Sequence, residues 1–99
     1  MEPWWVYIVQ CSDENKSLYT GISNDVEKRI AAHNAGTGAK YTRGRTPVVL
    51  LKTFKCPDKS AALKLEIKIK KLSREEKLNL NETSLVILTT KQTSIKDLQ

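Results

Sequence analysis

The stretch SLYTGISNDVEKRIAAH, residues 17–33, contains the change of pattern that decides the fold. Its first part, residues 17–22, is rich in aromatic and β-branched residues. A similar run, WWVYIVQC at residues 4–11, precedes it across the turn-forming letters DENKS. The two runs predict an antiparallel hairpin. The rest of the stretch has apolar residues at helical spacing, so we expect a helix to follow the hairpin directly.

This first helix is predicted over residues 25–34. Asn24 and Glu27 have the spacing of an N-cap and its capping partner. The inward stripe of the helix consists of Val26, Ile30 and His33. Arg29 and His33 are four residues apart, so they share one helix face and can reach a common cleft. Arg29 offers a planar fork suited to phosphate oxygens, whereas a lone histidine there is either a hydrogen-bonded packing residue or a catalytic one.

The second half of the chain predicts one more strand and two helices. PVVLLKTF, residues 47–54, is apolar enough to be a central or well-covered strand. Asp58 can cap a second helix, and SREE at residues 73–76 is a capping box for a short third helix that ends near residue 79. The buried stripe of the second helix is expected to contain Ala62, Leu65, Ile69 and Leu72.

The element order β-β-α-β-α-α predicts an α+β fold, in which a small three-stranded, mostly antiparallel sheet is flanked by helices. We expect one domain over residues 1–88, including a last strand or packed tail from Ser84, and a loose tail over residues 89–99. Neither a membrane-spanning run nor a leader is visible, so the expected location is the cytoplasm. Cys11 and Cys56 are expected to be buried, reduced thiols.

The formal net charge of +6 is concentrated in the middle of the chain. Most of the 17 Lys and Arg residues lie between Lys28 and Lys77. The acids in this segment are Asp58, Glu66, Glu75 and Glu76. The excess of cations predicts a polyanionic partner, for which we expect nucleic acid, with a solvated basic surface as the alternative. Candidate phosphate contacts in the glycine-rich loop at residues 35–47 are Lys40, Arg43 and Arg45.

Glu66 is an isolated acid within this basic segment. Its spacing from Ala62 and Ile69 places it at the edge of the buried face of the second helix. Two explanations are open: an ion pair with Lys70, or a hard oxygen ligand for a magnesium-like ion, which needs only one or two carboxylates with waters and phosphates. Lys70 is also a candidate substrate-binding residue.

Tyr7 and Tyr19 lie on the two strands of the predicted hairpin. Strand tyrosines are usually packing residues, and a phenol is a poor base unless cations or a metal stabilise the phenolate. This chain supplies such cations. Gly21 removes side-chain bulk two residues after Tyr19, so a ligand or a backbone can approach closely, and it is a further candidate for substrate binding.

Five elements in order resemble the GIY-YIG nuclease superfamily. They are WVY at residues 5–7, YTG at residues 19–21, the Arg29 and His33 pair, the loop GAKYTRGRTP, and Glu66. The likeness covers about residues 4–79 and is greatest to the small, single-domain bacterial branch. Trp5, Val6 and Thr20 stand where the family motifs have Gly, Ile and Ile. The two strand changes keep strand-forming residues, whereas Trp5 adds bulk near the expected site.

The resemblance implies a metal-dependent endonuclease that hydrolyses phosphodiester bonds of nucleic acid with one Mg or Mn ion. The expected substrate is DNA, and the expected setting is DNA repair or recombination. By position, Glu66 would hold the metal, Tyr7 would be the general base and Tyr19 would position water or phosphate. Arg29 would neutralise phosphate charge, and His33 would assist by hydrogen bonding. Two alternatives stay open: a nucleic-acid-binding module without cleavage, and a subunit that depends on a protein partner for specificity or activity. The sequence leaves the oligomeric state unknown.

Overall fold

The computed structural model describes residues 2–81 of the chain. Its elements are β1 (Trp4–Gln10), β2 (Leu18–Ser23), α1 (Val26–Asn34), a short 3-10 turn (Lys40–Thr42), β3 (Val49–Cys56), α2 (Lys59–Lys70) and α3 (Arg74–Leu78). This order confirms the predicted α+β fold. The expected last strand or packed tail, and the loose tail after it, lie outside the described residues. Within residues 2–81, no helix has the length and apolar character needed to cross a membrane.

The sheet has the strand order β2-β1-β3, so β1 lies at its centre and pairs antiparallel with both neighbours. Tyr7 stands opposite Gly21 on one side and Thr53 on the other. The hairpin turn is closed by Asp13, whose carboxylate accepts a hydrogen bond from the Ser17 amide at 2.8 Å. The predicted hairpin is confirmed, and its register fixes which side chains share a face.

The third strand is less covered than its apolar sequence predicts. Within the part of the chain that the structure describes, β3 is an edge strand. Its first three residues, Val49, Leu50 and Leu51, are 56%, 41% and 38% exposed, whereas Phe54 and Cys56 are buried. The expectation of a central or well-covered strand is therefore wrong for the first half of β3. An apolar run favours burial, but the position of a strand depends on which partners it finds, and β1 takes the centre here.

The two faces of the sheet carry two separate cores. Val6 and Ile8 of β1 face α2, where they pack with Leu65 and Ile69. The alternate residues of β1, such as Tyr7, face the opposite way and pack with residues of α1. Successive strand residues point to opposite faces, so this arrangement follows from the pattern of β1. Side chains from α1 and α2 consequently start on opposite sides of the sheet.

The helix boundaries confirm most of the predicted caps. Asp58 caps α2 by accepting a hydrogen bond from the Ala61 amide, and Ser73 and Glu76 form the predicted capping box of α3. In the expected stripe of α2, three residues are buried and the fourth, Leu72, is partly buried. Both cysteines are free and buried, as expected.

The N-terminus of α1 differs by one residue from its prediction. The cap is Asp25, not Asn24, because the Asp25 carboxylate accepts the hydrogen bond from the Lys28 amide at 3.1 Å. The hydroxyl of Ser23 in turn accepts from the Asp25 amide at 2.9 Å, which fixes the entry of the chain into the helix. Asn and Asp are nearly equal as N-caps, so the sequence offered no basis for choosing between neighbours.

Thr20→Val is expected to stabilise the protein. The hydroxyl of Thr20 is buried and has no hydrogen-bond partner among residues 2–81. Valine keeps the β-branched shape and removes the unsatisfied group, so the free energy of unfolding should rise by about 1 kcal/mol. Urea unfolding followed by tryptophan fluorescence measures the change. Thr53→Val, at an exposed strand position, is the matched control and should have little effect. A loss of stability in Thr20→Val would show that the hydroxyl is satisfied.

Candidate active site

The centre of the candidate site is a buried hydrogen bond between Tyr7 and His33. The phenol oxygen of Tyr7 lies 2.8 Å from Nε2 of His33. Tyr7 is 1% exposed and His33 is 0% exposed. On its other side, Nδ1 of His33 lies 2.8 Å from the hydroxyl of Thr42, which is also fully buried. Both ring nitrogens of the imidazole are therefore engaged away from solvent.

The hydrogen bonds around Thr42 assign the tautomer of His33. The Thr42 hydroxyl has one proton, which it donates to the carbonyl oxygen of Ala39 at 2.8 Å. Nδ1 of His33 must then donate to Thr42, which leaves Nε2 as the acceptor for the Tyr7 phenol. The Ala39 amide also approaches Nδ1, at 3.3 Å. This contact is longer, and therefore weaker, than the two hydrogen bonds of the Thr42 hydroxyl. A basic nitrogen of a neutral imidazole thus faces the proton of Tyr7.

Burial governs the protonation of both groups. It raises the pKa of Tyr7 above its ordinary 10.0; the nearby Arg29 guanidinium lowers that pKa again, while the charges of Tyr19 and Glu66 raise it. The pKa of His33 falls below its ordinary 6.5, first through burial and then through repulsion by Arg29. At neutral pH the phenol is accordingly protonated and the imidazole is neutral. Tyr7 can act as a base only if its own proton moves on, and Nε2 of His33 is placed to receive it.

Two glycines make room for this pair. A Cβ on Gly21 would stand 2.6 Å from Cζ of Tyr7, so the phenol ring lies across the Gly21 backbone. A Cβ on Gly38 would stand 2.8 Å from Cα of His33. Both distances are too short for a real side chain. The space that the sequence offered to a substrate at Gly21 is therefore filled by the Tyr7 ring, and binding of substrate by Gly21 remains a prediction.

Tyr19 forms the outer side of the site. Its ring meets the ring of His33 edge-on at 5.5 Å between centroids and lies 6.4 Å from the ring of Tyr7. On its far side it stacks on Tyr41 of the 3-10 turn, at 5.7 Å and an interplanar angle of 24°. Tyr19 is partly buried, whereas Tyr41 is 42% exposed. The aromatic cluster thus leads from the buried phenol out to the surface.

Arg29 lies between the buried pair and the solvent. It is partly buried, and its charge lowers the pKa of both Tyr7 and His33. It also lines a shallow cleft of about 270 Å³ together with Ser23 and Lys28 of the same end of the sheet and helix. The cleft is also lined by the Asp25 carboxylate, which caps α1. Arg29 is thus a fixed cation between the phenol and this cleft, where its planar fork can meet a phosphate group.

Glu66 acts on the same phenol electrostatically, from the helix on the other face of the sheet. It belongs to α2, yet its charge raises the pKa of Tyr7, so the carboxylate lies within electrostatic range of that phenol. Tyr7 extends over Gly21 in the edge strand β2, and α2 packs against β1 and β2 from the opposite side. The β2 edge is therefore where the two sides approach each other. Glu66 is the one predicted catalytic residue that comes from α2. The other four lie on the α1 side of the sheet: Tyr7, Tyr19, Arg29 and His33.

The predicted ion pair of Glu66 is confirmed. Nζ of Lys70 lies 3.5 Å from the carboxylate, whose side chain is only 15% exposed, while that of Lys70 is 52% exposed. An ion pair with so exposed a partner stabilises a helix by only a few tenths of a kcal/mol. Lys70 can therefore swing away at little cost, which keeps the carboxylate available for a ligand. Substrate binding by Lys70 remains a prediction.

Glu66 suits a hard cation that needs only one carboxylate from the protein, and the described residues do not suit a metal site built from several protein ligands. Residues 2–81 contain no cluster of three or more His, Cys, Asp or Glu side chains that could hold an ion. A zinc site built by the protein is therefore a poor fit for the described residues. Magnesium and manganese are commonly bound by one or two carboxylates, with waters and substrate phosphates as the other ligands. Glu66, partly buried and close to the phenol, fits that mode as the protein ligand.

The basic loop is more organised than its composition suggests. Arg45 lies with Cζ 4.4 Å above the Tyr41 ring and Nε 3.5 Å from the Asp13 carboxylate, and its contact with phosphate remains a prediction. Lys40 and Arg43 are exposed, at either side of the 3-10 turn, and their contact with phosphate remains a prediction.

Trp5 is partly buried and lines a cleft of about 400 Å³ next to α1. The bulk added by Trp5 is thus accommodated beside the helix.

Sequence reasoning missed three residues of the site. Thr42 orients His33, Gly38 makes room for it, and Tyr41 extends the aromatic cluster. All three come from the loop between α1 and β3, where composition reveals flexibility and charge but not conformation. The available signal was that a threonine and a glycine follow the only histidine of the chain within ten residues.

Comparisons with known proteins identify the family of this chain. A family model of the GIY-YIG catalytic domain matches residues 3–79, and the chain belongs to the GIY-YIG family, a nuclease family. The resemblance predicted from the motifs is thereby confirmed. The chain matches small proteins of bacteria and archaea that correspond to the single-domain branch.

Particular relatives cover most of the chain. A UPF0213 protein of Haloquadratum walsbyi is 61% identical over 79 residues, which are 79% of this chain and 85% of that protein. A UPF0213 protein of Staphylococcus haemolyticus is 51% identical over 82 residues, 83% of this chain and 98% of that one. A solution NMR structure of a UPF0213 protein from Bacillus halodurans is 45% identical, with a TM-score of 0.46, and covers 76% of this chain and 78% of that one. These names state no reaction.

Thr42→Val is expected to destabilise the fold. The substitution keeps the shape of the side chain but leaves the Nδ1 proton of His33 buried without an acceptor, which costs about 1–3 kcal/mol. Thr42→Ser keeps the hydroxyl and is the matched control, expected to cost clearly less. Urea unfolding of both variants measures the difference. Equal losses in the two variants would show that packing, not the hydrogen bond, accounts for the role of Thr42.

The stability of the protein should fall as the pH drops below 6.5. The pKa of His33 is lower in the folded state than its ordinary 6.5, so the unfolded chain takes up the proton first. The stabilisation is complete above pH 6.5 and is lost as the pH falls towards the folded-state pKa. Asp13, whose pKa is also lowered, acts in a separate window below 3.8. Unfolding measured from neutral to mildly acidic pH should show this loss in the wild type but not in His33→Gln. The same loss in both proteins would contradict the assignment.

Proposed function

We propose that this protein is a metal-dependent endonuclease that hydrolyses phosphodiester bonds of nucleic acid, with DNA as the expected substrate. The observation that carries the proposal is the buried Tyr7–His33 pair, in which the charges of both Arg29 and Glu66 act on Tyr7. A structural tyrosine needs a hydrogen-bond partner but not a cation and a carboxylate from opposite faces of a sheet. Perturbed titratable groups of this kind are typical of functional sites. Membership of the GIY-YIG family supports the same reaction class.

The chain's own residues suggest how a water molecule is activated. Tyr7 takes a proton from the attacking water while its phenol proton passes to Nε2 of His33, along the 2.8 Å hydrogen bond. The step separates one pair of charges, the hydroxide that forms at the phosphate and the imidazolium of His33, while Tyr7 stays neutral. His33 remains held by Thr42 through Nδ1. The raised pKa of Tyr7 makes such coupled movement necessary, because a free phenolate would be scarce at neutral pH.

Arg29 and Glu66 have complementary tasks in this scheme. Arg29 stabilises the negative charge that grows on the phosphate oxygens, where its fixed charge and planar fork are effective. Glu66 holds the divalent ion, Mg or Mn, which supplies Lewis-acid stabilisation of the phosphate when bound. Tyr19 positions the water or the phosphate at the outer side of the buried pair. With one carboxylate in place, a single ion is the arrangement that the chemistry supports. The hydroxide bonds to phosphorus as the bond from phosphorus to the 3′ oxygen breaks, and that oxygen takes a proton from solvent, so the products would be a 5′-phosphate and a 3′-hydroxyl.

A nucleic-acid-binding role without cleavage is the second candidate, since the cationic excess alone would support it. A protein partner that supplies specificity or activates cleavage is compatible with the small size of the domain. We further propose a single domain over residues 1–88 and action in the cytoplasm, in DNA repair or recombination. Both candidates predict binding that is indifferent to the removal of Glu66, so cleavage distinguishes them: only the nuclease cuts nucleic acid and loses that activity in Glu66→Ala.

Glu66→Ala should abolish cleavage and leave binding of nucleic acid nearly unchanged, because the carboxylate holds the ion and not the polyanion. Purified protein with Mg or Mn is tested on single-stranded, duplex and branched DNA and RNA. Glu75→Ala, which removes an exposed acid of α3, is the matched control and should retain activity. If the wild type cuts none of these substrates, the enzymatic proposal is wrong for the isolated protein. Undiminished cleavage by Glu66→Ala would exclude the assigned role of that residue.

Tyr7→Phe should lower the rate of cleavage by about 10²–10⁴-fold, the usual contribution of a general acid–base group. Phenylalanine fills the same space over Gly21 and removes only the hydroxyl that exchanges protons with His33. Single-turnover cleavage at saturating protein isolates the chemical step from binding. Circular dichroism and urea unfolding check that the variant is folded. A folded Tyr7→Phe protein with the wild-type rate would rule Tyr7 out as the base.

A further inference from the structure

A cleft of about 310 Å³ lies next to the aromatic cluster, on the side away from the buried pair. It is lined by Asn15, Ser17, Leu18, Tyr41, Arg74 and Lys77. Its volume is at the lower end of the range of small-ligand sites. The lining combines one exposed aromatic ring, two cations and short polar side chains. None of these six residues has a part in the proposed hydrolysis.

Tyr41 is held rigidly at this cleft. Its neighbour Thr42 is buried and bonded to His33, so the 3-10 turn has one residue inside the site and the next one outside. The ring of Tyr41 stacks on Tyr19 and carries the guanidinium of Arg45 4.4 Å above its centroid. Arg45 is itself fixed by the Asp13 carboxylate and by the carbonyl oxygen of Tyr41. A ring that is 42% exposed yet restrained on several sides is a preorganised stacking surface.

The cations of the cleft come from α3. Arg74 and Lys77 are three residues apart, so both lie on one side of this short helix. Nη1 of Arg74 donates a hydrogen bond to the carbonyl oxygen of Lys16, at 2.5 Å. This bond connects α3 to the hairpin turn. Of the two acids in this turn, Asp13 is engaged by Ser17 and Arg45, and neither Asp13 nor Glu14 lines the cleft. The cleft therefore offers positive charge beside an aromatic surface, the combination used to bind single-stranded nucleic acid.

We infer that the cleft of Tyr41, Arg74 and Lys77 is a nucleotide subsite that binds an unpaired nucleotide adjoining the scissile phosphate. The base stacks on the exposed part of the Tyr41 ring, and the flanking phosphate is bound by Arg74 and Lys77. Because Tyr41 stacks directly on Tyr19, the subsite lies one ring away from the buried pair. The link to cleavage rests on the proposed function, whereas binding to the cleft does not.

The inference also specifies the form of the nucleic acid. In a duplex, both faces of every internal base are covered by neighbouring bases, so a stacking surface has nothing to bind without unstacking. In a single strand each base has a free face, and stacking on it does not depend on sequence. The cleft should therefore favour unpaired over paired nucleotides, while the other basic surfaces bind both forms through their phosphates.

Fluorescence anisotropy with labelled oligodeoxythymidylate, measured with a chelator present, tests the subsite without cleavage. Tyr41→Ala should weaken binding by at least about fivefold, and Tyr41→Phe, which keeps the stacking surface, should bind like the wild type. Binding of a duplex of the same length should change less than twofold in both variants. Equal weakening in Tyr41→Ala and Tyr41→Phe, or none in either, would overturn the inference.

Two further measurements guard against a folding defect in Tyr41→Ala. Arg74→Gln and Lys77→Gln should each reduce the slope of log K against log salt concentration by about 0.7 for the single strand, as expected for one lost phosphate contact. In the unaltered protein, an oligonucleotide that contains 5-iodouracil should form a photo-crosslink to Tyr41. An unchanged salt slope together with crosslinks only at other residues would overturn the inference.

Failure of the subsite and failure of the proposed function give different results. If Glu66-dependent cleavage is observed but Tyr41→Ala binds the single strand like the wild type, the subsite is excluded and the nuclease stands. If no substrate is cut but Tyr41→Ala weakens binding as described, the nuclease proposal fails and the subsite stands as a nucleic-acid-binding site.

Discussion

The hydrogen bond between the Tyr7 phenol and His33 is the constraint on which the rest of the site depends. Both side chains are fully buried, so each polar atom must find a partner within the fold. Gly21 and Gly38 supply the space, and Thr42 satisfies the far nitrogen of the imidazole. The loop after α1 consequently has a defined shape in spite of its glycines. The same burial that fixes the pair also sets its protonation, because it raises the pKa of the phenol and lowers that of the imidazole.

A second constraint comes from the alternation of side chains along β1. Tyr7 and its neighbours Val6 and Ile8 face opposite ways, so α1 and α2 cover different faces of the sheet. A site that needs both Arg29 and Glu66 can be completed only where the two faces meet. Gly21 allows the phenol to lie over the edge strand, within electrostatic range of Glu66. The glycine of the second strand motif is thus explained by the geometry of a tyrosine on the neighbouring strand.

Local patterns in the sequence predicted much of the fold but less of the site. The hairpin, the buried stripe of α2 and the capping box at Ser73 depend on neighbours in sequence, and all three were correct. The edge position of β3 within residues 2–81 depends on partners far along the chain, and it was wrongly predicted. The same reason explains the missed roles of Thr42 and Tyr41, since loop conformation is set by contacts with His33 and Tyr19. The candidate catalytic residues came from motif order, and their convergence on one phenol became visible only in three dimensions.

The protonation of His33 is the most direct test of this account. The chain has one histidine, so a ¹⁵N-correlated NMR spectrum of the imidazole needs no assignment by mutation. We predict a neutral ring at pH 7 with the proton on Nδ1 and an unprotonated, hydrogen-bonded Nε2. A proton on Nε2, or a doubly protonated ring, would contradict the account, because no nitrogen would then be free to accept the proton of Tyr7.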